Sequence, residues 1–164
     1  MLLGSEFFIF AVVGFLAQIV DGALGMAYGV VSSTMLLSFG VPPAAASASV
    51  HAAEMFTTAA SATSHVRNRN VNWKLFWRLA PAGIVGGVLG TYVLTAIDGA
   101  VLRPFVTGYL GLLGVFILYR ALRVRGAYRE PQTKIVMPLG VAGGFVDAAG
   151  GGGWGPIVTS SLIG

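Results

Sequence analysis

The apolar pattern opens with its longest run, residues 7–40, where 34 positions carry one charged side chain, Asp21. A straight helix of that length would reach about 51 Å, well beyond a hydrocarbon core of about 30 Å. The run must tilt steeply, break or fold back. Its weak point is Asp21-Gly22-Ala23-Leu24-Gly25, since glycine costs up to about 1 kcal/mol in a helix interior. Val41-Pro42-Pro43 then turns the chain, and a proline at a first helical position starts the next helix, expected over residues 44–66. Of the 21 residues at 44–64, 16 are Ala, Ser or Thr. Such a surface allows close backbone approach, so this helix is expected to be buried against others. Residues 79–97 form an uncharged run with Gly83, Gly86, Gly87 and Gly90 at small-xxx-small spacing, and 101–119 cross back with a stripe of Gly108, Gly111 and Gly114; both stripes predict tight helix pairing. Arg103 lies near the start of the last run, placed to snorkel to an interface.

The opening run returns. Setting Asp147 under Asp21, an offset of 126 residues, also aligns Gly14 with Gly140, Val20 with Val146, Ala23 with Ala149, Gly25 with Gly151, Gly29 with Gly155 and Leu36 with Leu162. Tyr28 meets Trp154, and Ser33-Thr34 meets Thr159-Ser160. Both copies set an acid and a helix-weakening glycine cluster inside apolar sequence, and paired discontinuous helices point to a transporter's binding site. The expected fold is an all-α membrane protein, a polytopic transmembrane helix bundle with an internal repeat and discontinuous helices at the repeat start. Residues 1–134 form the first repeat (helical segments 7–40 broken near 21–25, 44–66, 79–97 and 101–119), and 135–164 open an incomplete second. A repeat of 126 residues predicts a parent about twice that long, so the sequence is expected to be truncated. If 7–40 crosses the membrane once, the copies run parallel; if it crosses twice or re-enters, they are inverted. Both stay open, and the commoner use of inverted repeats in alternating access favours inversion.

Composition agrees: 55% of residues are hydrophobic and 10% charged, with a mean hydropathy of +0.81, where a soluble domain has about a quarter of its residues charged. Nine of the ten Lys and Arg side chains fall at 67–78 and 120–134. The positive-inside rule accounts for that clustering better than nucleic acid does and puts both stretches in the cytoplasm. There is no cysteine, which excludes disulfides and thiolate metal sites. MLLGSEFF lacks the basic start of a signal peptide and is expected to open the first membrane segment.

Intramembrane carboxylates are costly and mark functional sites. Asp21 and Asp147 either serve proton coupling or hold the helix breaks by accepting backbone N–H bonds. Gly22, Gly25, Gly151 and Gly152 are anion candidates, because a helix starting after each cluster aims N–H groups and a positive dipole end at a ligand; the alternative is close helix packing. Ser33, Thr34, Thr159 and Ser160 can offer hydroxyls to the same anion, or bond their own helices. His51 and Glu54 share a helix face at i, i+3, as a proton relay or as a mutually satisfied pair; a histidine titrates near neutral pH. Trp154 and Tyr28 are packing anchors or line the ligand path. HAAE lacks the second histidine of a metal-binding HExxH, and no P-loop or GxSxG elbow occurs. No catalytic residue, metal site, cofactor or enzymatic activity is therefore expected.

Three stretches, GFLAQIVDGALGMAYG, VPPAAASASVHAAEMFTTAASATSHVRNRNVNW and GFVDAAGGGGWGPIVTSSL, resemble the TauE/SafE sulfite exporter family of bacterial membrane transporters. The resemblance implies a secondary transporter with two related halves in the cytoplasmic (inner) membrane. It would move small sulfur-containing anions such as sulfite, sulfonate or related organic anions, with proton coupling. The partners expected are that anionic substrate, the lipid bilayer and a second half or further copy of the chain, with no nucleic acid. An uncoupled anion channel, or a half that transports only with a second chain, are the alternatives.

Overall fold

The structure, a computed structural model, describes residues 5–123 and 133–163; most of the second basic stretch, at 124–132, lies outside the described residues. Among the described residues seven α-helices follow one another: α1 (Ser5–Leu24), α2 (Tyr28–Ser38), α3 (Pro43–Arg67), α4 (Trp73–Ala96), α5 (Gly99–Arg123), α6 (Thr133–Gly150) and, after a π-helical turn at Gly155–Thr159, α7 (Ser160–Ile163). Among the described residues there is no strand, and the fold is an all-α membrane protein. Phe7–Leu24, Trp73–Ala96 and Gly99–Leu122 are long and apolar enough to cross a bilayer.

Both acid-bearing runs are broken. Helix α1 holds through Leu24 and the chain leaves it at Gly25, where φ is +71°; α6 ends at Gly150 and Gly151 has φ +72°. Glycine takes that left-handed conformation without steric penalty. Helix α4 begins six residues before the expected 79, because the Asn72 side chain accepts the Leu75 N–H at 3.1 Å and so caps the Trp-rich first turn. We expect Asn72→Ala to cost about 1 kcal/mol, read as a lower thermal midpoint in detergent; an unchanged midpoint would show that the edge-on rings of Trp73, Phe76 and Trp77 hold this end alone.

A few contacts give the direction of each helix. The rings of Phe10 and Phe39 meet edge-on at 5.1 Å, and Val13, Gly14, Ser32 and Met35 line one cavity, so α2 doubles back along α1. Ser33 of α2 and Ser47 of α3 both touch Gly151, one on each side of the turn at 39–42, so α3 runs parallel to α1. Ser47 and Gly90 both lie against Ala148, one on each side of the turn at 68–72, so α4 opposes α3. Leu79 and Ala82 meet Gly140 while Gly90 meets Phe145 and Ala148, so α6 runs parallel to α4. Helices α1 and α6 therefore enter from opposite ends. Val158 packs on Gly143, so the π-turn and α7 fold back along α6 as α2 does along α1. The result is two helical hairpins of opposite polarity. Helix α2 has 11 residues, about 16 Å of rise, which puts the hairpin tip about halfway through a hydrocarbon core of about 30 Å.

Packing follows the glycines of α4 but not those of α5. A Cβ at Gly86 would strike the Val141 carbonyl, and one at Gly90 the Phe145 carbonyl, so α4 and α6 touch backbone to backbone. On α5 the packed face is Val106, Leu110, Leu113 and Ile117, joined in one core with Val30, Leu37 and Ala46. Gly108, Gly111 and Gly114 lie on the other side with nothing within 4 Å, which corrects the pairing expected of that stripe. Helix α3 is likewise buried only at Pro43, Ala46, Ser47 and Val50. From Met55 to Arg67 every residue but Thr57 is exposed, because no described helix packs beyond the level of the breaks.

Candidate functional site

Each break is closed by its own aspartate. Asp21 Oδ1 accepts the N–H groups of Ala27 at 2.7 Å and Tyr28 at 3.1 Å. Asp147 Oδ1 accepts those of Gly153 at 2.6 Å and Trp154 at 2.9 Å. The same offsets of six and seven residues recur in both copies. A carboxylate set at the start of a half-helix satisfies donors that have no partner within the helix and complements the dipole. These amides are therefore taken, which corrects the expectation that the first N–H groups after each glycine cluster point at a ligand.

The two tips then pack on one another reciprocally. A Cβ at Gly29 would collide with the Gly151 carbonyl and approach Gly152 Cα at 2.7 Å. One at Gly155 would approach Met26 Cα at 2.6 Å and the Gly25 carbonyl at 3.2 Å. Gly29 and Gly155 are repeat equivalents, as are Gly151 and Gly25, and Gly152 and Met26. A residue in one copy thus touches the region of the other that its own counterpart is touched by, the pattern of a local two-fold axis. The Ser33 hydroxyl donates to the Gly151 carbonyl at 3.1 Å, and the Tyr109 hydroxyl reaches the Gly152 carbonyl at 3.4 Å.

Beside this crossing lies a half-open cavity of about 250 Å³ lined by Asp21, Glu54 and Asp147, with Thr58, Trp154 and Thr159 among its other walls. Three carboxylates converge there and no lysine or arginine lines it. The histidine of α3 does not pair with Glu54, its neighbour on the helix. His51 Nε2 faces Asp147 Oδ2 at 3.3 Å, and Nδ1 faces the Ser47 carbonyl at 2.8 Å. The acid that meets His51 therefore comes from the second copy, and Glu54 is left to the cavity.

The other expected site residues divide. Gly25, Gly152 and Thr159 line the cavity with the acids. Gly151 and Ser33 are buried in the crossing between the tips. Gly22 sits inside α1 with nothing within 4 Å and does not line the cavity. Thr34 donates to the Val30 carbonyl and faces a different cavity, beside Arg103. Ser160 is buried with its hydroxyl toward Met26 Sδ at 3.7 Å. Two arginines have roles that sequence reasoning missed. Arg103 donates to the Leu37 carbonyl at 2.8 Å, and Arg120 to the Ser160 carbonyl at 2.8 Å. Helix α5 thus donates a side-chain bond to a carbonyl of each half-helix. Among the described residues no group of three or more His, Cys, Asp or Glu side chains is arranged to hold a metal ion.

The family described as Sulfite exporter TauE/SafE matches residues 10–164. The chain is similar to the probable membrane transporter protein YtnM of Bacillus subtilis (strain 168), with 45% identity over 97% of this chain and 55% of that protein. It is also similar to a probable membrane transporter protein of Haemophilus influenzae, with 25% identity over 92% of this chain and 60% of that protein. The chain therefore spans little more than half the length of these curated relatives. No solved structure matches it.

Proposed function

Because the chain belongs to the TauE/SafE sulfite exporter family, we propose that it works in a proton-coupled secondary transporter of small sulfur-containing anions in the bacterial cytoplasmic membrane. In this reading residues 1–134 are one repeat, 135–164 open its inverted copy, and the basic stretches at 67–78 and 120–134 face the cytoplasm. The observation that carries the reading is the cavity beside the crossed hairpin tips, walled by Asp21, Glu54 and Asp147. Inverted hairpins whose tips meet near mid-bilayer are the architecture of alternating access.

The wall of carboxylates suggests why a proton would travel with the anion. An anion entering a cavity of low dielectric beside ionised acids is repelled, and neutralising one acid lowers that cost. Asp21 and Asp147 are committed to backbone amides, and Asp147 also to His51. Glu54 has neither tie among the described residues, so it is the group that takes the proton. Proton and anion then favour each other's binding, and that reciprocity is coupling.

The test is flux of sulfite into proteoliposomes with and without an imposed pH gradient. Glu54→Gln holds the side chain in a neutral, proton-like form. It is expected to keep sulfite binding within about threefold of wild type and to lose the acceleration by the gradient. A wild-type flux that ignores the gradient would favour an uncoupled channel, and unchanged pH-dependent flux in Glu54→Gln would remove the glutamate from the coupling step.

A further inference from the structure

Outside the break cavity, the fold brings two i, i+4 pairs together across the contact of α2 with α5. Thr34 and Ser38 stand one turn apart on α2, Arg103 and Thr107 one turn apart on α5, and all four line a cavity of about 180 Å³ floored by Leu37 and Leu110. No carboxylate lines it, in contrast to the acid-walled cavity at the tips. The four polar side chains are exposed, amid a surface that otherwise presents Val101, Phe105 and Leu112. The groove lies at the outer end of α2 and the start of α5, where a guanidinium can reach an interface, so it is open to a ligand from that side.

The donors in the groove can be counted. Thr34 gives its proton to the Val30 carbonyl at 2.7 Å and Ser38 to the Thr34 carbonyl at 2.8 Å. Arg103 gives one N–H to the Leu37 carbonyl, which anchors the fork and leaves its other N–H groups without a partner among the described residues. Thr107 is in the same position. A fixed fork beside a hydroxyl matches an oxyanion, because guanidinium binds two oxygens of a planar or tetrahedral oxyanion at once. Arg103 also precedes Tyr109 by six residues on α5, about 9 Å along the axis, and Tyr109 touches Gly150 and Gly153 at the second tip.

We propose that this groove is an oxyanion subsite, in which the Arg103 guanidinium and the Thr107 hydroxyl hold a small sulfur oxyanion one step before the break cavity. The proposal rests on the anion-transport reading and adds the place where the anion is first held. It puts the capture site at the end of α5 opposite the basic stretches, with its affinity set by a cation that does not titrate.

The experiment is equilibrium binding of radiolabelled sulfite to the purified, lipid-reconstituted protein from pH 6 to pH 8, alongside gradient-driven flux. Arg103→Gln is expected to weaken binding at least about tenfold at every pH, and Arg103→Lys to recover part of it, as a point charge replaces a fork. Thr107→Val leaves the bond to Leu37 in place and is expected to weaken binding about threefold; it carries the test should the glutamine variant fold poorly. Wild-type affinity in both Arg103→Gln and Thr107→Val, with flux intact, would overturn the subsite alone. A wild-type protein that neither binds nor moves sulfite would overturn the anion reading together with it.

Discussion

Gly29→Ala and Gly155→Ala are each expected to cut sulfite flux sharply, and to do so to similar extents although the residues lie 126 positions apart. The new methyl group at Gly29 would collide with the Gly151 carbonyl oxygen, and that at Gly155 would press on Met26 Cα and Cβ at 2.6 and 2.7 Å. Neither obstacle is the free end of a flexible side chain. Each is the tip of a hairpin pinned by two backbone N–H hydrogen bonds to an aspartate. Overpacking of about one methyl group costs about 1–3 kcal/mol where neighbours cannot yield, and here the relief available is separation of the tips. Flux should fall at least about tenfold in each variant, since sub-ångström placement of a site commonly governs rates on that scale. Gly22→Ala is the internal control. It lies seven residues before Gly29 in the same broken run, inside α1, with nothing within 4 Å of the new atom, and alanine is the better helix former; flux and thermal midpoint should stay at or slightly above wild type. Wild-type flux in Gly155→Ala would reduce the crossing to incidental packing.

The contrast between Gly22 and Gly29 also marks how far the sequence could be read. The breaks were legible because their causes are local: an acid in apolar sequence, glycines free to take positive φ, and too many residues for one crossing. Repetition at a fixed offset made the second break legible from the first. The direction of α2 was not, since a run of apolar residues after Gly25 is equally compatible with continuing and with doubling back, and the contacts of α1 with α2, such as Phe10 against Phe39, decide. The partner of His51 was hidden for the same reason. Spacing offered Glu54 at i+3, whereas the acid in contact, Asp147, is 96 residues away and arrives through the parallel packing of α6 on α4. Small-residue stripes gave a correct face for α4 and an empty one for α5. A stripe says that close approach is allowed, and the apolar residues at Val106, Leu110, Leu113 and Ile117 determine which face of α5 makes it. Arg103 near a helix start suggested snorkelling, but sequence holds no trace of the Leu37 carbonyl it would reach.

Asp147→Ala is expected to be the most damaging single change at the site, and Asp147→Asn separates the reasons. The carboxylate has two duties on two oxygens. Oδ1 satisfies the N–H groups of Gly153 and Trp154 at 2.6 and 2.9 Å, and Oδ2 faces His51 Nε2 at 3.3 Å. Alanine removes both, leaving two amides at a buried tip without acceptors, at about 1–3 kcal/mol for each such group. A loss of at least about 2 kcal/mol in stability should accompany loss of flux. Asparagine caps a helix start about as well as aspartate, so Asp147→Asn should keep the tip in place and hold its thermal midpoint near wild type, while the charge facing His51 disappears. Its flux should therefore fall without unfolding, and adding His51→Gln should cost little more, since the partner is already lost. That non-additivity, a coupling of about 0.5–3 kcal/mol in a double-mutant cycle, is what assigns the pair a role beyond holding the turn. If Asp147→Asn moves sulfite as wild type does while Asp147→Ala does not, the aspartate acts as a cap alone, and the proton path must run through Glu54 without the histidine.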